Sequence, residues 1–246
     1  MLKIIKKVIS ALGYKLIEKK LYKNSINLEI LNAINTKDVL RNLYKNNLIN
    51  KIVQIGANDG LRFDELRSFI IEFNTKALLV EPISEYFLNL KNNYKDQKNI
   101  VLENSAISVN EEQKIMFKVD SKFYELYQDH VYGLSSFKKS HLIKHGVRNK
   151  HIISEKIKTT SIKDLLNKHN FLDLDLLYVD AEGYDGDIIK EFIETIKTRP
   201  ILIFEYVHID YTIFKEVIKL LDQNHYKILK CSENIVAFNK KLTINL

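Results

Sequence analysis

Apolar residues recur along the chain in short runs that alternate with amphipathic stretches. Five of the runs read as strands, and they lie at residues 51–55, 77–80, 100–102, 175–179 and 201–205. Helical patterns separate most of them, and this alternation predicts a parallel sheet with crossover helices. Two further apolar runs, 225–230 and 234–240, are separated by only a few turn residues. They predict an antiparallel hairpin at the end of the sheet.

Three regions fall outside this alternation. Residues 1–20 carry apolar side chains at helical spacing with lysines on the other sides, which predicts a basic amphipathic helix. Such a helix either lies on an anionic membrane surface or caps the domain or a homodimer partner. Residues 27–48 predict a second helix. An insertion of roughly residues 107–160 follows the third strand, and its ends, 114–119 and 156–160, read as extra strands.

Length and composition leave room for one large domain. A chain of 246 residues with 46% hydrophobic content fills one α/β core. We therefore expect an N-terminal helical segment, 1–48, followed by a single domain, 49–246. The net charge of +7 comes from dispersed lysines without an RNA-binding signature, so no nucleic-acid partner is expected. No apolar run is long enough to span a membrane and Cys231 is the only cysteine, which favours the cytoplasm.

The stretch 51–82 carries the strongest chemical signal. An apolar strand runs into the turn "GANDG" at 56–60, and the next strand ends at Glu81. Glycines let a backbone approach a ligand, and a carboxylate at that strand end accepts hydrogen bonds from ribose hydroxyls. The turn lacks the middle glycine of the dinucleotide fingerprint, and acidic Asp59 stands where a pyrophosphate would lie. A cationic cofactor such as S-adenosylmethionine (SAM) therefore suits this turn better than NAD, which disfavours a dinucleotide oxidoreductase.

Acidic residues also follow the two later parallel strands. Asp180 and Glu182 come after the fourth strand, and Glu205 and His208 come after the fifth. Because parallel strands end at the ligand-binding edge of an open sheet, we predict that these four residues form the catalytic set. His208 is expected to act as a base or a nitrogen ligand. The alternative for Glu182 is that it organises the loop before the next helix. If a metal is bound, Asp180 and Glu205 would share Mg²⁺.

Two histidines of the insertion, His141 and His145, stand four residues apart. This spacing places both on one face of a helix. A pair of this kind is more often surface chemistry than a metal site, so we expect at most a contact with the substrate.

Seven segments together resemble the FkbM family of SAM-dependent methyltransferases. They are "VQIGANDG" at 53–60, "LLVEP" at 78–82, "ENSAIS" at 103–108, "GLSSF" at 133–137, "TTSIKDLL" at 159–166, "LLYVDAEGYDGDII" at 176–189 and "PILIFEYVH" at 200–208. The resemblance implies an α/β, Rossmann-like class I methyltransferase fold. Its mostly parallel seven-stranded sheet would carry a C-terminal antiparallel hairpin, helices on both faces, and an insertion between the third and fourth core strands.

The resemblance also implies which residues hold the cofactor. The turn at 56–60 should surround the methionyl part of SAM and Glu81 the ribose. Ser105 and Ala106 should line the adenine edge. The full expected set is Gln54, Gly56, Ala57, Asn58, Asp59, Gly60, Glu81, Pro82, Asn104, Ser105, Ala106 and Asp180.

The family further implies an enzyme of the EC 2.1.1 class. We expect a SAM-dependent O-methyltransferase that acts on a sugar or sugar-nucleotide hydroxyl in bacterial capsule or surface polysaccharide biosynthesis. Two alternatives stay open. One is a nitrogen or phosphoramidate-type acceptor, and the other is a catalytically silent SAM-fold protein that docks partners.

Overall fold

The structure is a computed structural model that describes residues 29–30, 35–108 and 113–239. Within these residues the strands, in chain order, are β1 (Glu29–Ile30), β2 (Lys51–Ile55), β3 (Lys76–Val80), β4 (Ile100–Glu103), β5 (Ala106–Ile107), β6 (Gln113–Val119), β7 (Ser135–Ser136), β8 (Ile152–Thr160), β9 (Leu176–Val179), β10 (Ile201–Glu205), β11 (Tyr226–Cys231) and β12 (Asn234–Asn239). The α-helices are α1 (Thr36–Lys45), α2 (Arg67–Glu72), α3 (Ser84–Asn93), α4 (Lys139–Lys144), α5 (Ile162–His169), α6 (Asp185–Thr195) and α7 (Tyr211–Gln223). Short 3-10 helices lie at Ser121–Leu126, Asp129–Val131 and Asn149–His151.

The main sheet has the strand order β1-β11-β12-β10-β9-β2-β3-β4. Neighbours from β10 to β4 are parallel, whereas β12 is antiparallel to both β10 and β11. The predicted parallel sheet and its closing hairpin are therefore confirmed. The short strand β1 pairs in parallel with β11 and adds an eighth strand to the seven expected.

The helix predicted over residues 27–48 is wrong at both ends. β1 occupies part of that range, and α1 begins at Thr36 because the Asn35 side chain accepts a hydrogen bond from the Asp38 backbone N–H at 2.9 Å. The helix ends before Asn47, whose φ of 55° lies in the left-handed region.

Helices cover both faces of the main sheet, as predicted. One face packs against α5, α6 and α7, through residues such as Leu165, Ile189 and Val217. The other packs against α1, α2 and α3, through residues such as Leu43, Ile70 and Leu90. α1 therefore shares a core with the strands that follow it. The expected domain boundary between residues 48 and 49 stays a prediction. The helix predicted over residues 1–20 lies outside the described residues. No helix in the part of the chain described here is long and apolar enough to cross a membrane.

The insertion forms a second sheet with the order β5-β8-β6-β7. Its central pair, β6 and β8, is antiparallel from Gln113 opposite Lys158 to Val119 opposite Ile152. Both predicted extra strands are thus confirmed. This sheet places α4 and the "GLSSF" segment, 133–137, beside the carboxyl edge of the main sheet.

Candidate active site

A cavity of about 320 Å³ opens at the carboxyl edge of the main sheet. This volume lies at the lower end of the range for small-molecule sites. The strand ends supply much of its wall, and the insertion supplies the opposite side. Eight of the residues singled out from the sequence line it: Gly56, Asn58, Glu81, Pro82, Ser105, Ala106, Asp180 and Glu182.

Gly56 lets two strand ends approach each other. Its φ is +84°, and a Cβ atom added there would lie 1.8 Å from the Asp180 carbonyl oxygen. No side chain fits in that space, so the position requires glycine for contact between β2 and β9 rather than for contact with a ligand.

The Glu81 carboxylate is buried in the cavity wall and organises the turn. Its Oε2 accepts a hydrogen bond from the Asn58 backbone N–H at 2.9 Å, and its Oε1 accepts one from the Ile83 N–H at 2.8 Å. Burial raises the pKa of Glu81 to about 7, with a smaller contribution from the negative charges of Glu155 and Asp59. Each oxygen keeps one further lone pair for a ligand hydroxyl.

Ser105 offers a second polar group to the cavity. Its side chain is buried, and Oγ has no hydrogen-bond partner among the described residues. A buried hydroxyl of this kind carries a desolvation cost that a bound ligand would remove. Asn104 does not line the cavity, and its Nδ2 donates to the carbonyl oxygens of Glu81 at 2.8 Å and Pro82 at 3.1 Å. It therefore braces the wall rather than forming part of it.

Several residues expected to contact the cofactor do not line the cavity and hold the surrounding fold together. An added Cβ at Gly60 would lie 2.5 Å from Leu90 and 2.6 Å from Tyr94, so Gly60 permits α3 to pack closely. Asp59 Oδ1 accepts hydrogen bonds from the N–H groups of Leu61 and Arg62 and so closes the turn on itself.

Gln54 and Ala57 also lie outside the lining. Gln54 is buried, and its Nε2 is 3.4 Å from Asp64 Oδ1. The Ala57 N–H donates to the Val80 carbonyl at 3.0 Å, which joins the turn to β3. The sequence pattern places these residues next to the cavity, but side-chain direction turns them away from it.

Asp180 is an acid in the cavity lining, at the end of β9. It retains solvent contact there, yet the enclosing protein and the like charges of Glu182 and Asp185 raise its pKa above the ordinary aspartate value. Asp185 is fully buried, and its carboxylate accepts hydrogen bonds from the N–H groups of Ala181 and Gly183. This brace fixes the loop that carries Asp180 and Glu182.

The predicted convergence of Asp180, Glu205 and His208 on one oxygen gains no support. Asp180 lines the cavity, but Glu205 and His208 are not part of its lining. Glu205 Oε1 instead lies 3.6 Å from His208 Nε2. The His208 ring meets the rings of His141 and His145, with centroids 4.9 Å and 4.8 Å away.

Part of the cavity wall was not anticipated. The missed lining residues include Phe63, Met116, Gly133, Phe137 and Tyr184. Phe63 is 67% exposed and has a φ of +58°, which is rare for a bulky side chain. The segment "GLSSF" was recognised only as a family match, and no local pattern indicated that it faces the strand ends.

Comparison with known proteins assigns the family. A family model described as the Methyltransferase FkbM domain matches residues 54–228. The chain belongs to the FkbM methyltransferase family. The chain is therefore a methyltransferase, and the expected family is confirmed.

Solved structures similar to this FkbM chain share low identity with it. Precorrin-6y C5,15-methyltransferase from Geobacter metallireducens GS-15 is 11% identical, with 83% of this chain and 88% of that one covered and a TM-score of 0.43. Methyltransferase FkbM from Methylobacillus flagellatus KT is 14% identical, with 78% and 44% covered and a TM-score of 0.46. Aeropyrum pernix fibrillarin with natively bound SAM is 14% identical, with 76% and 65% covered and a TM-score of 0.38. No curated protein matches the chain.

Proposed function

We propose that the chain transfers a methyl group from SAM to a hydroxyl group of a sugar or sugar nucleotide. The observation that carries the proposal is the pairing of Glu81 with Ser105 in one cavity at the carboxyl edge of the sheet. The Glu81 carboxylate has lone pairs for the ribose hydroxyls, and Ser105 Oγ has a hydrogen bond to offer to a base. Both groups fit a nucleoside, and the turn at 56–60 carries no basic side chain for a pyrophosphate.

Asp180 is the group that we assign to the acceptor proton. SAM supplies a methyl group on a sulfonium, so the chain must align an oxygen with it and take a proton away. Asp180 lines the cavity at the end of β9, and its carboxylate can accept a proton from an acceptor hydroxyl held there. His208 was expected to do this, but its ring packs among other histidines outside the cavity lining.

The side of the cavity where the insertion meets the loop after β9 supports an acceptor rich in hydroxyls. Ser135 of the insertion and Glu182 of that loop supply polar groups, and Phe137 and Tyr184 supply rings that meet edge to face, with centroids 5.1 Å apart. A sugar ring presents both hydroxyls and an apolar face to such a wall. A role in capsule or surface polysaccharide synthesis in the cytoplasm, with a small-molecule acceptor, is part of the same proposal. Residues Asp180 and Glu205 do not fit a shared Mg²⁺, because only Asp180 faces the cavity.

Two measurements test the function. Titration calorimetry should show SAM and its demethylated product binding with micromolar affinity while NAD does not bind, and NAD binding would refute the cofactor assignment. Mass spectrometry of surface glycans should then find one O-methyl group in the parent strain and none in a strain that lacks the protein. A strain carrying Asp180→Asn serves as the matched control, since it retains the folded chain. A missing methyl on nitrogen or phosphoramidate would refute the sugar acceptor.

A further inference from the structure

Four metal-binding side chains meet beside the cavity. They are His141, His145, Glu182 and His208, and each offers a ligand atom within 4.8 Å of the others. The His141 and His145 rings are 4.5 Å apart between centroids, and His141 Nε2 lies 2.8 Å from Glu182 Oε2. The geometry points to a site for a divalent transition-metal ion of the Zn²⁺ type at this cluster, formed by His141, His145, Glu182 and His208.

The chemistry of the donors selects the class of metal. Three imidazole nitrogens and one carboxylate suit Zn²⁺ and related transition metals, whereas Mg²⁺ and Ca²⁺ take oxygen ligands. Ligand atoms of a tetrahedral Zn²⁺ ion are ~3.3 Å apart, given Zn–N bonds of about 2.0 Å. The longest separations in the cluster, up to 4.8 Å, therefore need to shorten by about 1.5 Å, and the 2.8 Å contact between His141 Nε2 and Glu182 Oε2 needs to lengthen by about 0.5 Å, both within the reach of side-chain rotation.

The backbone at Glu182 has an unusual conformation, and the Glu182 side chain lies next to His141. Glu182 has a φ of +50°, an unfavourable conformation for a residue with a Cβ. Ser136 Oγ donates to the Glu182 carbonyl at 3.2 Å, and the Asp185 carboxylate holds the N–H groups of Ala181 and Gly183 on either side. Strain that is held in place by three surrounding hydrogen bonds is typical of functional positions.

The ligands come from three separate parts of the fold. His141 and His145 are one helical turn apart in and after α4, Glu182 follows β9, and His208 follows β10. Since Val179 of β9 pairs with Phe204 of β10, the last two loops leave the same edge side by side. A metal here would tie the insertion to the main sheet.

Gly183 leaves room for this convergence. A Cβ added there would lie 3.2 Å from the His208 carbonyl oxygen and 3.8 Å from His141 Nδ1. Glycine therefore lets the loop after β9 pass between the insertion and the loop after β10. Glu205 Oε1 lies 3.6 Å from His208 Nε2. Carboxylates that do not bind the metal themselves commonly orient a metal-bound imidazole, and Glu205 is positioned to do this for His208.

A matched histidine–glutamate pair elsewhere provides the control. His169 Nε2 lies 2.8 Å from Glu103 Oε2, the same distance as in the His141–Glu182 pair. Among the described residues, this pair belongs to no group of three or more possible metal ligands. A His169→Ala variant therefore removes an equivalent histidine–glutamate contact without touching the proposed site.

The test is a Zn²⁺ titration of the full chain after chelator treatment, without SAM or acceptor. We expect one Zn²⁺ per chain with micromolar or tighter affinity, a rise in melting temperature, and the intense visible bands of tetrahedral Co²⁺ after Co²⁺ substitution. His141→Ala and His145→Gln should each lower Zn²⁺ affinity by about 100-fold or more, since even outer-shell changes cost up to about 100-fold. His169→Ala should bind Zn²⁺ like the unaltered chain, and Mg²⁺ should give no shift.

Three results would overturn the site. The first is the absence of stoichiometric Zn²⁺ binding. The second is an unchanged Zn²⁺ affinity in His141→Ala and His145→Gln when circular dichroism shows that both variants are folded. The third is a loss of Zn²⁺ affinity in His169→Ala as large as the loss in these two variants. Because no methyl transfer is measured, failure here leaves the proposed function standing, and failure of SAM binding leaves this site standing.

Discussion

The burial of Glu81 makes cofactor binding depend on pH. Its pKa of about 7 means that the carboxylate is half protonated at pH 7 in the free protein. If SAM binds only the ionised form, the apparent Kd is multiplied by 1 + 10^(pKa − pH), which is about 11 at pH 6 and about 1.1 at pH 8. SAM affinity should therefore rise about tenfold between pH 6 and pH 8, and binding at pH 6 should release close to one proton.

Substitution separates this carboxylate from other titrating groups. Glu81→Gln removes the charge, so SAM affinity should fall by about 10- to 150-fold at pH 8, which corresponds to the roughly 1.5–3 kcal/mol of a hydrogen bond to a charged group. The tenfold pH dependence should disappear with it. Glu103→Gln is the matched control, because Glu103 ends the neighbouring strand but bonds to Lys168 and His169 outside the cavity lining.

The assay is titration calorimetry at pH 6, 7 and 8 in two buffers of different ionisation enthalpy, which measures affinity and proton release together. The reasoning is refuted if SAM affinity is the same from pH 6 to pH 8 in the unaltered chain, or if Glu81→Gln keeps the same dependence of SAM affinity on pH.

The raised pKa of Glu81 also has a consequence for folding. A carboxyl that ionises near pH 4.5 when unfolded and near pH 7 when folded lowers the free energy of unfolding as pH rises between those values.

Two further predictions concern the same edge of the sheet. Gly56→Ala should destabilise the fold by roughly 3 kcal/mol or more in urea unfolding, since backbone strain adds to the clash with the Asp180 carbonyl. Gly146→Ala, at a similar φ of +86° but with nothing within 4 Å of the added Cβ, should cost only about 1–2 kcal/mol, and equal costs would contradict the steric argument. Asp180→Asn should lower turnover by about 10²- to 10⁴-fold, measured as release of demethylated SAM with a nucleotide-sugar extract, and unchanged turnover would remove Asp180 as the base.

The strands were predictable because each is a short apolar run buried on both faces. β2, β3, β9 and β10 follow this pattern. The start of α5 is equally local, because the Ser161 Oγ accepts a hydrogen bond from the Asp164 N–H at 3.0 Å. The position of Glu81 at a strand end was likewise fixed once the strands were known.

Contacts between distant segments could not be predicted in this way. The turn sequence predicts a ligand contact at Gly60, whereas the side chains next to Gly60 are those of Leu90 and Tyr94. The sequence around Gly60 does not specify how α3 packs against it. His141 and His145 looked like an isolated surface pair. Their surroundings depend on how the second sheet places α4 beside the loop that carries His208, which no periodicity in the chain encodes.

The cavity lies where the two sheets meet. β4 belongs to the main sheet and β5 to the second sheet, so Asn104 and Ser105 carry the chain from one to the other. Ile55 of the main sheet and Met116 of the second sheet both line the cavity. A molecule that fills it therefore contacts both sheets at once and, because it binds only the folded state, stabilises their association.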